Sequence, residues 1–160
     1  MSVTATIRQA TQTDLPAMGT LGAELVRVHH NFDHDRFIAP SAETAQGYGD
    51  YLGTQFNQRK VVILVATIDD VVVGYAWAGV EGFDYMSLRG PAGVLYDIVV
   101  AEAQRGHGIG QMLLDAVLAA LTTNGAPRAV LSTAARNEAA QRLFTRNGFR
   151  ETMIEMTREL

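Results

Sequence analysis

The chain has 160 residues, 48% of them hydrophobic, a net charge of -4 and no cysteine. A chain of that length buries enough surface to hold a core without a disulfide or a metal, and the missing cysteine excludes a disulfide framework, a thiolate zinc site and a cysteine nucleophile. The acidic balance argues against a nucleic-acid partner, no apolar run approaches the roughly 18 residues that cross a bilayer, and residues 1–6 lack a secretory signal pattern; we expect a single cytoplasmic domain over residues 1–160.

In chain order, residues 4–9 alternate as a short first strand. Thr13 and Asp14 then offer a helix N-cap with an acidic first turn, and Leu15, Met18, Leu21, Gly22, Leu25 and Val26 follow helical spacing to about Val28. Residues 29–40 are polar and irregular, and residues 41–57 form a second helical region of mixed periodicity. Two apolar, β-branched runs follow at 61–67 and 71–80, and Asp69-Asp70 between them predicts a hairpin. Residues 81–93, holding Gly82, Gly90, Pro91 and Gly93, form a longer connection before a strand at 94–100.

After a glycine-rich run, Ile109, Met112, Leu113, Ala116, Val117, Ala120 and Leu121 fall on one stripe of a helix. Asn124-Gly125 and Pro127 stop it. A buried-type strand at 128–133 leads to a helix capped by Asn137 and ended by Gly148, then to a final strand at 149–157. This order predicts an α/β domain with helices covering a central sheet.

The glycine run, Arg105-Gly106-His107-Gly108-Ile109-Gly110, carries the strongest chemical signal. A strand that enters a helix through glycines exposes unpaired backbone N–H groups at the positive end of a helix dipole, which makes an anion site. A phosphate loop of the Gly-Lys-Ser/Thr type is excluded because the run continues Gly110-Gln111-Met112. The dinucleotide fingerprint is excluded because Gln111 stands where its third glycine belongs.

The run has the form Arg-x-x-Gly-x-Gly at Arg105, Gly108 and Gly110. A second signature follows at Asn137, Ala140, Leu143-Phe144 and Asn147-Gly148-Phe149. In these two motifs, about 30 residues apart with a strand between, the chain resembles the GNAT superfamily of acyl-CoA-dependent N-acetyltransferases. The resemblance implies a mixed central sheet whose strands 94–100 and 128–133 splay apart to admit acetyl-CoA. It implies that amides from Arg105, Gly106, His107, Gly108, Ile109, Gly110 and Gln111 hold the CoA pyrophosphate. The backbone of Ile98, Val99 and Val100 would pair with the pantetheine arm, and an amide there would polarise the thioester carbonyl. Asn137 would hydrogen-bond the pantetheine, with Ala140 and Phe144 completing the donor side.

Without cysteine an acyl-cysteine intermediate is excluded, so direct attack of a primary amine on acetyl-CoA is the expected reaction. Phe144 stands where the family often has a tyrosine acid, and Phe cannot donate a proton. A thiolate of pKa near 8.5 does not strictly need one; water or Tyr96 would otherwise serve. The alternative is a non-catalytic acyl-CoA sensor or interaction domain. For the base, Tyr96 occupies a strand position where many relatives place a glutamate, and Asp97 and Glu81 are the nearby carboxylates. Alternation sets Tyr96 and Asp97 on opposite faces unless a bulge intervenes.

His29-His30-Asn31-Phe32-Asp33-His34-Asp35 lacks metal-ligand spacing and reads as a polar loop at the acceptor mouth, so no metal site is assigned. Trp77 and Tyr85 read as core or rim residues. An exposed sheet edge or the final strand would allow a homodimer.

Overall fold

Two-residue alternation sorts the sheet into two faces. In the computed structural model, which describes residues 4–160, Val62, Leu64 and Ala66 join one buried cluster while Ile63 and Val65 join another. Five strands carry this pattern: β1 (Thr6–Gln9), β2 (Val61–Ile68), β3 (Val71–Glu81), β4 (Ala92–Val100) and β5 (Ala129–Leu131). They lie in the order β1-β2-β3-β4-β5, antiparallel except for the parallel β4–β5 pair. Four helices cover them: α1 (Leu15–Phe32), α2 (Thr44–Gln55), α3 (Ile109–Thr123) and α4 (Glu138–Arg146). Buried residues of α3 and α4, including Leu113, Leu114, Val117 and Phe144, meet Ala76, Ala78 and Leu95. On the opposite face Met18, Leu21 and Leu52 of α1 and α2 meet Tyr75, Trp77 and Val99. The expected mixed sheet flanked by helices is the observed fold.

Local chemistry explains the turns. Asp69 and Asp70 both have positive φ, 48° and 63°, as the tight hairpin turn between β2 and β3 demands. Gly125 and Gly148 follow the helices in the left-handed conformation that stops them. The α1–α2 crossing is very close because it is lined by glycines. A Cβ on Gly19 would lie 2.3 Å from the Ala45 carbonyl oxygen, and one on Gly22 would lie 2.2 Å from the Tyr48 ring. Close contact at Gly22 is what seats Tyr48 toward the sheet.

Three expectations need correction. Thr13 does not cap the first helix: Thr11 begins a short 3-10 turn, its amide donates to Asp14 Oδ2 at 2.7 Å, and Asp14 sits directly before α1. Arg8 adds two hydrogen bonds to that same carboxylate, at 2.7 and 2.9 Å. Second, α1 continues past Val28 through His29 and His30 to Phe32. His29 Nδ1 donates to the Leu25 carbonyl at 2.8 Å, a bond within the helix that the polar composition concealed. Third, residues 149–157 form no strand: residues 150–160 have no regular structure and all are exposed. Their alternating pattern finds no neighbouring strand to bond with.

Candidate active site

The site begins where two parallel strands part. β4 and β5 pair only at Gly93–Ala129, Val94–Val130 and Leu95–Leu131, after which β4 runs on to Val100 alone on that side. The backbone of Ile98, Val99 and Val100 therefore has β3 on one edge and an open edge on the other. The side chains of Ile98 and Val100 pack against the α3 cluster, whereas Val99 is buried in the α1/α2 cluster.

β4 leads through a short 3-10 turn into the glycine run. Gly106 and Gly108 have φ of 79° and 81°, and a Cβ on either would meet nothing within 4 Å. Glycine is thus required by backbone conformation, and the space in front of the loop is open. Gly108 caps α3, and the first helical amide to reach a backbone acceptor is that of Met112, on the Gly108 carbonyl at 3.1 Å. The amides just before it point out of the helix start and are free to bind an anion.

Side chains brace this loop. Arg105 Nε donates to the Val100 carbonyl at 3.0 Å, and its guanidinium reaches Glu24 of α1 at 3.3 Å. His107 contacts the Gln104 carbonyl at 3.3 Å, and the Ile109 side chain is buried beneath the loop. Gln111 exchanges two side-chain hydrogen bonds with Asn147, at 2.7 and 2.9 Å, which ties α3 to α4. Asn137 caps α4 by accepting from the Ala140 amide at 3.2 Å. Phe144 is buried beside Phe149, with ring centroids 5.8 Å apart.

On the α1/α2 face a bulge decides which side chains meet. Trp77 lies opposite Asp97 and Ala78 opposite Leu95, so Tyr96 has no partner across from it. The extra residue turns Tyr96 and Asp97 toward the same face, against the simple alternation. Tyr96 packs on Trp77 at 4.6 Å and donates from its hydroxyl to Glu81. Glu81 is also held by Arg89, which lies 3.8 Å from Asp84. Asp97 accepts from Tyr75 at 2.9 Å and from Tyr48 of α2.

These contacts shift the acidities. Burial holds the Asp97 carboxyl above its ordinary value, opposed by the two tyrosine hydrogen bonds and by the field of His29. Burial and the neighbouring Asp97 raise both Tyr48 and Tyr75. Tyr96 is raised by its own burial and by Glu81. The three residues expected for chemistry, Tyr96, Asp97 and Glu81, thus lie on one wall, but in two separate hydrogen-bonded groups. Tyr48, Tyr75 and Arg89 were missed. Only the polarity of Tyr75 within an otherwise apolar strand hinted at a buried partner.

Trp77 lies between Tyr96 and Tyr51, and its buried Nε1 has no hydrogen-bond partner among the described residues. Tyr85, by contrast, is fully outside at 84% exposure. His30 and His34 meet edge to face with ring centroids 4.5 Å apart, and among the described residues no three His, Asp or Glu side chains gather as a metal-binding group.

The acetyltransferase (GNAT) family model matches residues 25–149, from within α1 through the loop, the open β4 edge and α4. The chain belongs to the GNAT acetyltransferase family. No curated protein matches the sequence. Among solved structures, it is similar to a transcriptional regulator from Bacillus halodurans C-125, at 20% identity and a TM-score of 0.76 over 98% of this chain and 100% of that one. A protein of Clostridium acetobutylicum described as a predicted acetyltransferase, with acetyl-CoA, aligns at 15% identity and a TM-score of 0.74, covering 96% of each chain. The aminoglycoside N-acetyltransferase AAC(6')-Iy in complex with CoA aligns at 21% identity and a TM-score of 0.73, covering 100% and 97%. At these identities the likeness concerns the fold of the GNAT family member, which has no helix long and apolar enough to cross a membrane among its described residues.

Proposed function

We propose that this protein transfers an acetyl group from acetyl-CoA directly to a primary amine of a small molecule or peptide. The observation that carries the reading is the open edge of β4 leading straight into the left-handed glycines and free amides before α3. Amides from Arg105 to Gln111 suit a pyrophosphate, and the edge from Ile98 to Val100 suits an extended pantetheine arm. Asn137, whose carbonyl oxygen is spent on its cap, keeps its amide NH2 for that arm, with Ala140 and Phe144 as an apolar wall. The CoA-bound relatives support the same donor.

Acetyl-CoA supplies the acyl group as a thioester; the amine nitrogen bonds to its carbonyl carbon, the carbon–sulfur bond breaks, and CoA leaves as the thiolate. The chain must provide a donor for the developing oxyanion and a sink for the amine proton. Backbone amides on the β4 edge serve the first need. Glu81 serves the second, with Tyr96 hydrogen-bonded to it as the relay nearest the open edge. Asp97 is less suited, because burial disfavours its charged form and its Oδ2 already accepts from two tyrosine hydroxyls behind the wall. We place Asp97 as the group that orients Tyr48 and Tyr75 behind the acceptor wall.

The second reading, an acyl-CoA sensor without turnover, draws support from Phe144, which offers no proton and is buried in the core. Thiol release from acetyl-CoA separates the two. The protein has no cysteine to give a background signal. Release that rises with one of a panel of polyamines, aminoglycosides, amino acids and peptides supports transfer. Release no faster than hydrolysis with every amine, alongside tight CoA binding, establishes the sensor.

A further inference from the structure

The end of α1 and the chain just after it enclose a groove of about 180 Å³, lined by Leu25, Val26, His29, Phe37 and Ile38. Leu25 and His29 lie four residues apart, close to one turn, on a single stripe of the helix. The facing side is fixed by hydrogen bonds. Phe37 donates its amide to the Asp33 carbonyl at 3.1 Å, and its own carbonyl accepts from His30 Nδ1 at 3.0 Å. The Phe37 ring meets His29 edge to face at 5.1 Å and carries the Arg36 guanidinium 4.8 Å from its centre. Ile38 is 74% exposed and gives the groove an apolar rim.

The groove adjoins the acceptor wall. Gly22, three residues before Leu25 on the same stripe, is where the Tyr48 ring lies against α1, and Tyr48 donates to Asp97. The near end of the groove is therefore about one helical turn, roughly 5 Å, from that wall. Leu25 packs on the cluster that holds Trp77 and Val99, and the field of His29 reaches Asp97.

The lining decides what can sit there. His29 Nδ1 donates to the Leu25 carbonyl, which leaves Nε2 as the only other polar side-chain atom among the lining residues. The carboxylates a polycation needs are engaged elsewhere: Glu24 by Arg105, Glu81 by Arg89 and Tyr96, and Asp97 by two tyrosines. Asp33 Oδ1 accepts the amides of Asp35 and Arg36. Asp35 is exposed next to Arg36, and one carboxylate beside a guanidinium does not hold several ammonium groups. An apolar cavity of roughly 150 Å³ takes a body the size of benzene, which is the scale of this groove.

We infer that the groove seats the apolar body of the acceptor, so that the substrate class is a primary monoamine carrying one aromatic ring or one branched alkyl group on a short arm. The inference rests on the transfer reading above and adds its specificity. The arm spans the turn of helix between groove and wall and brings the nitrogen toward the β4 edge. A polyamine or an aminoglycoside meets an apolar lining there and no run of unpaired carboxylates.

Two readouts on the full-length protein separate this inference from the transfer reading. Nitrogen-15 amide shifts of the CoA-saturated protein report amine binding without turnover, and thiol release reports transfer. With 2-phenylethylamine, saturable shifts should appear at Leu25, Val26, His29, Phe37 and Ile38. Its kcat/KM should exceed those of ethylamine and spermidine at least about tenfold, the effect of burying one ring. Ile38→Glu alters an exposed position, so the fold is kept. It should lower the ratio of kcat/KM for 2-phenylethylamine over ethylamine about tenfold and raise the ratio for spermidine over ethylamine. An equal or greater kcat/KM with spermidine in the parent protein, or no saturable shift in the groove, would overturn the inference; thiol release with any amine would still uphold acetyl transfer. Groove shifts without thiol release from any amine would remove the transfer reading and leave recognition of the ring standing.

Discussion

The two sides of the proposed site are built from different materials. The proposed donor wall is backbone: glycines at φ of 79° and 81°, an open strand edge and the start of α3. The proposed acceptor wall is side chains, brought together from α2, β3 and β4 around Asp97 and Glu81. A wall of amides recognises a phosphate whatever residues surround it, whereas a wall of hydroxyls and carboxylates depends on each side chain's position. The donor half should therefore tolerate side-chain changes and fail on backbone ones, and the acceptor half should do the reverse.

Gly108→Val attacks the donor wall where it is most vulnerable. A β-branched residue at positive φ adds strain of about 1–3 kcal/mol, and relief of that strain moves the amides. Calorimetric titration should show CoA affinity reduced at least about tenfold, with the folded circular dichroism signature retained. Gly22→Val attacks the acceptor wall from behind. Its side chain would occupy the space of the Tyr48 ring, so urea unfolding should show a loss of about 1–3 kcal/mol. CoA affinity should remain at its parent value, because Tyr48 lies on the other wall.

Acidity sharpens the contrast further. The Arg8 hydrogen bonds hold the Asp14 carboxyl down at about 2, below its ordinary 3.8. A depressed folded value stabilises the protein above the unfolded value and loses that stabilisation as pH falls from about 4 toward 2. Asp14→Asn should therefore cost roughly 1–2 kcal/mol at neutral pH and much less near pH 2, measured by urea titration across that range. Asp97 has the opposite sign. Burial raises its folded value, so its stabilisation is present at low pH and is lost as pH rises through that value. Asp97→Asn should thus gain stability relative to the parent as pH rises from the acidic range. The smallest effect expected is at the exposed Arg36–Glu155 pair: Arg36→Ala should leave the urea unfolding midpoint at the parent value.

The same contrast explains what the sequence made legible. The hairpin at Asp69-Asp70, the left-handed Gly108 and the stop at Gly125 rest on local conformational preference, which composition displays directly. The backbone conformation of the proposed donor wall was legible for that reason. The bulge at Tyr96 was not, because one unpaired residue leaves the apolar pattern of β4 intact and shows only in register with β3. The Tyr48–Asp97 contact joins residues 49 apart in sequence, through a helix whose periodicity is weak, and depends on Gly22 yielding space to a ring. Residues 149–157 misled for the complementary reason. Their alternation is a strand's, but a strand is completed by its neighbour, and none is bonded to it here.

In the proposed reaction the donor is held by backbone amides on one wall. Amide chemical shifts of the nitrogen-15 labelled protein, followed as CoA is added, test it most directly. Capture by backbone amides predicts saturable shifts concentrated at Ile98 to Val100 and Gly106 to Gln111, with Tyr48 and Asp14 little changed. Saturation with the largest shifts along α1 or the outer face of α4, or no saturable shift at the glycine run, would contradict it.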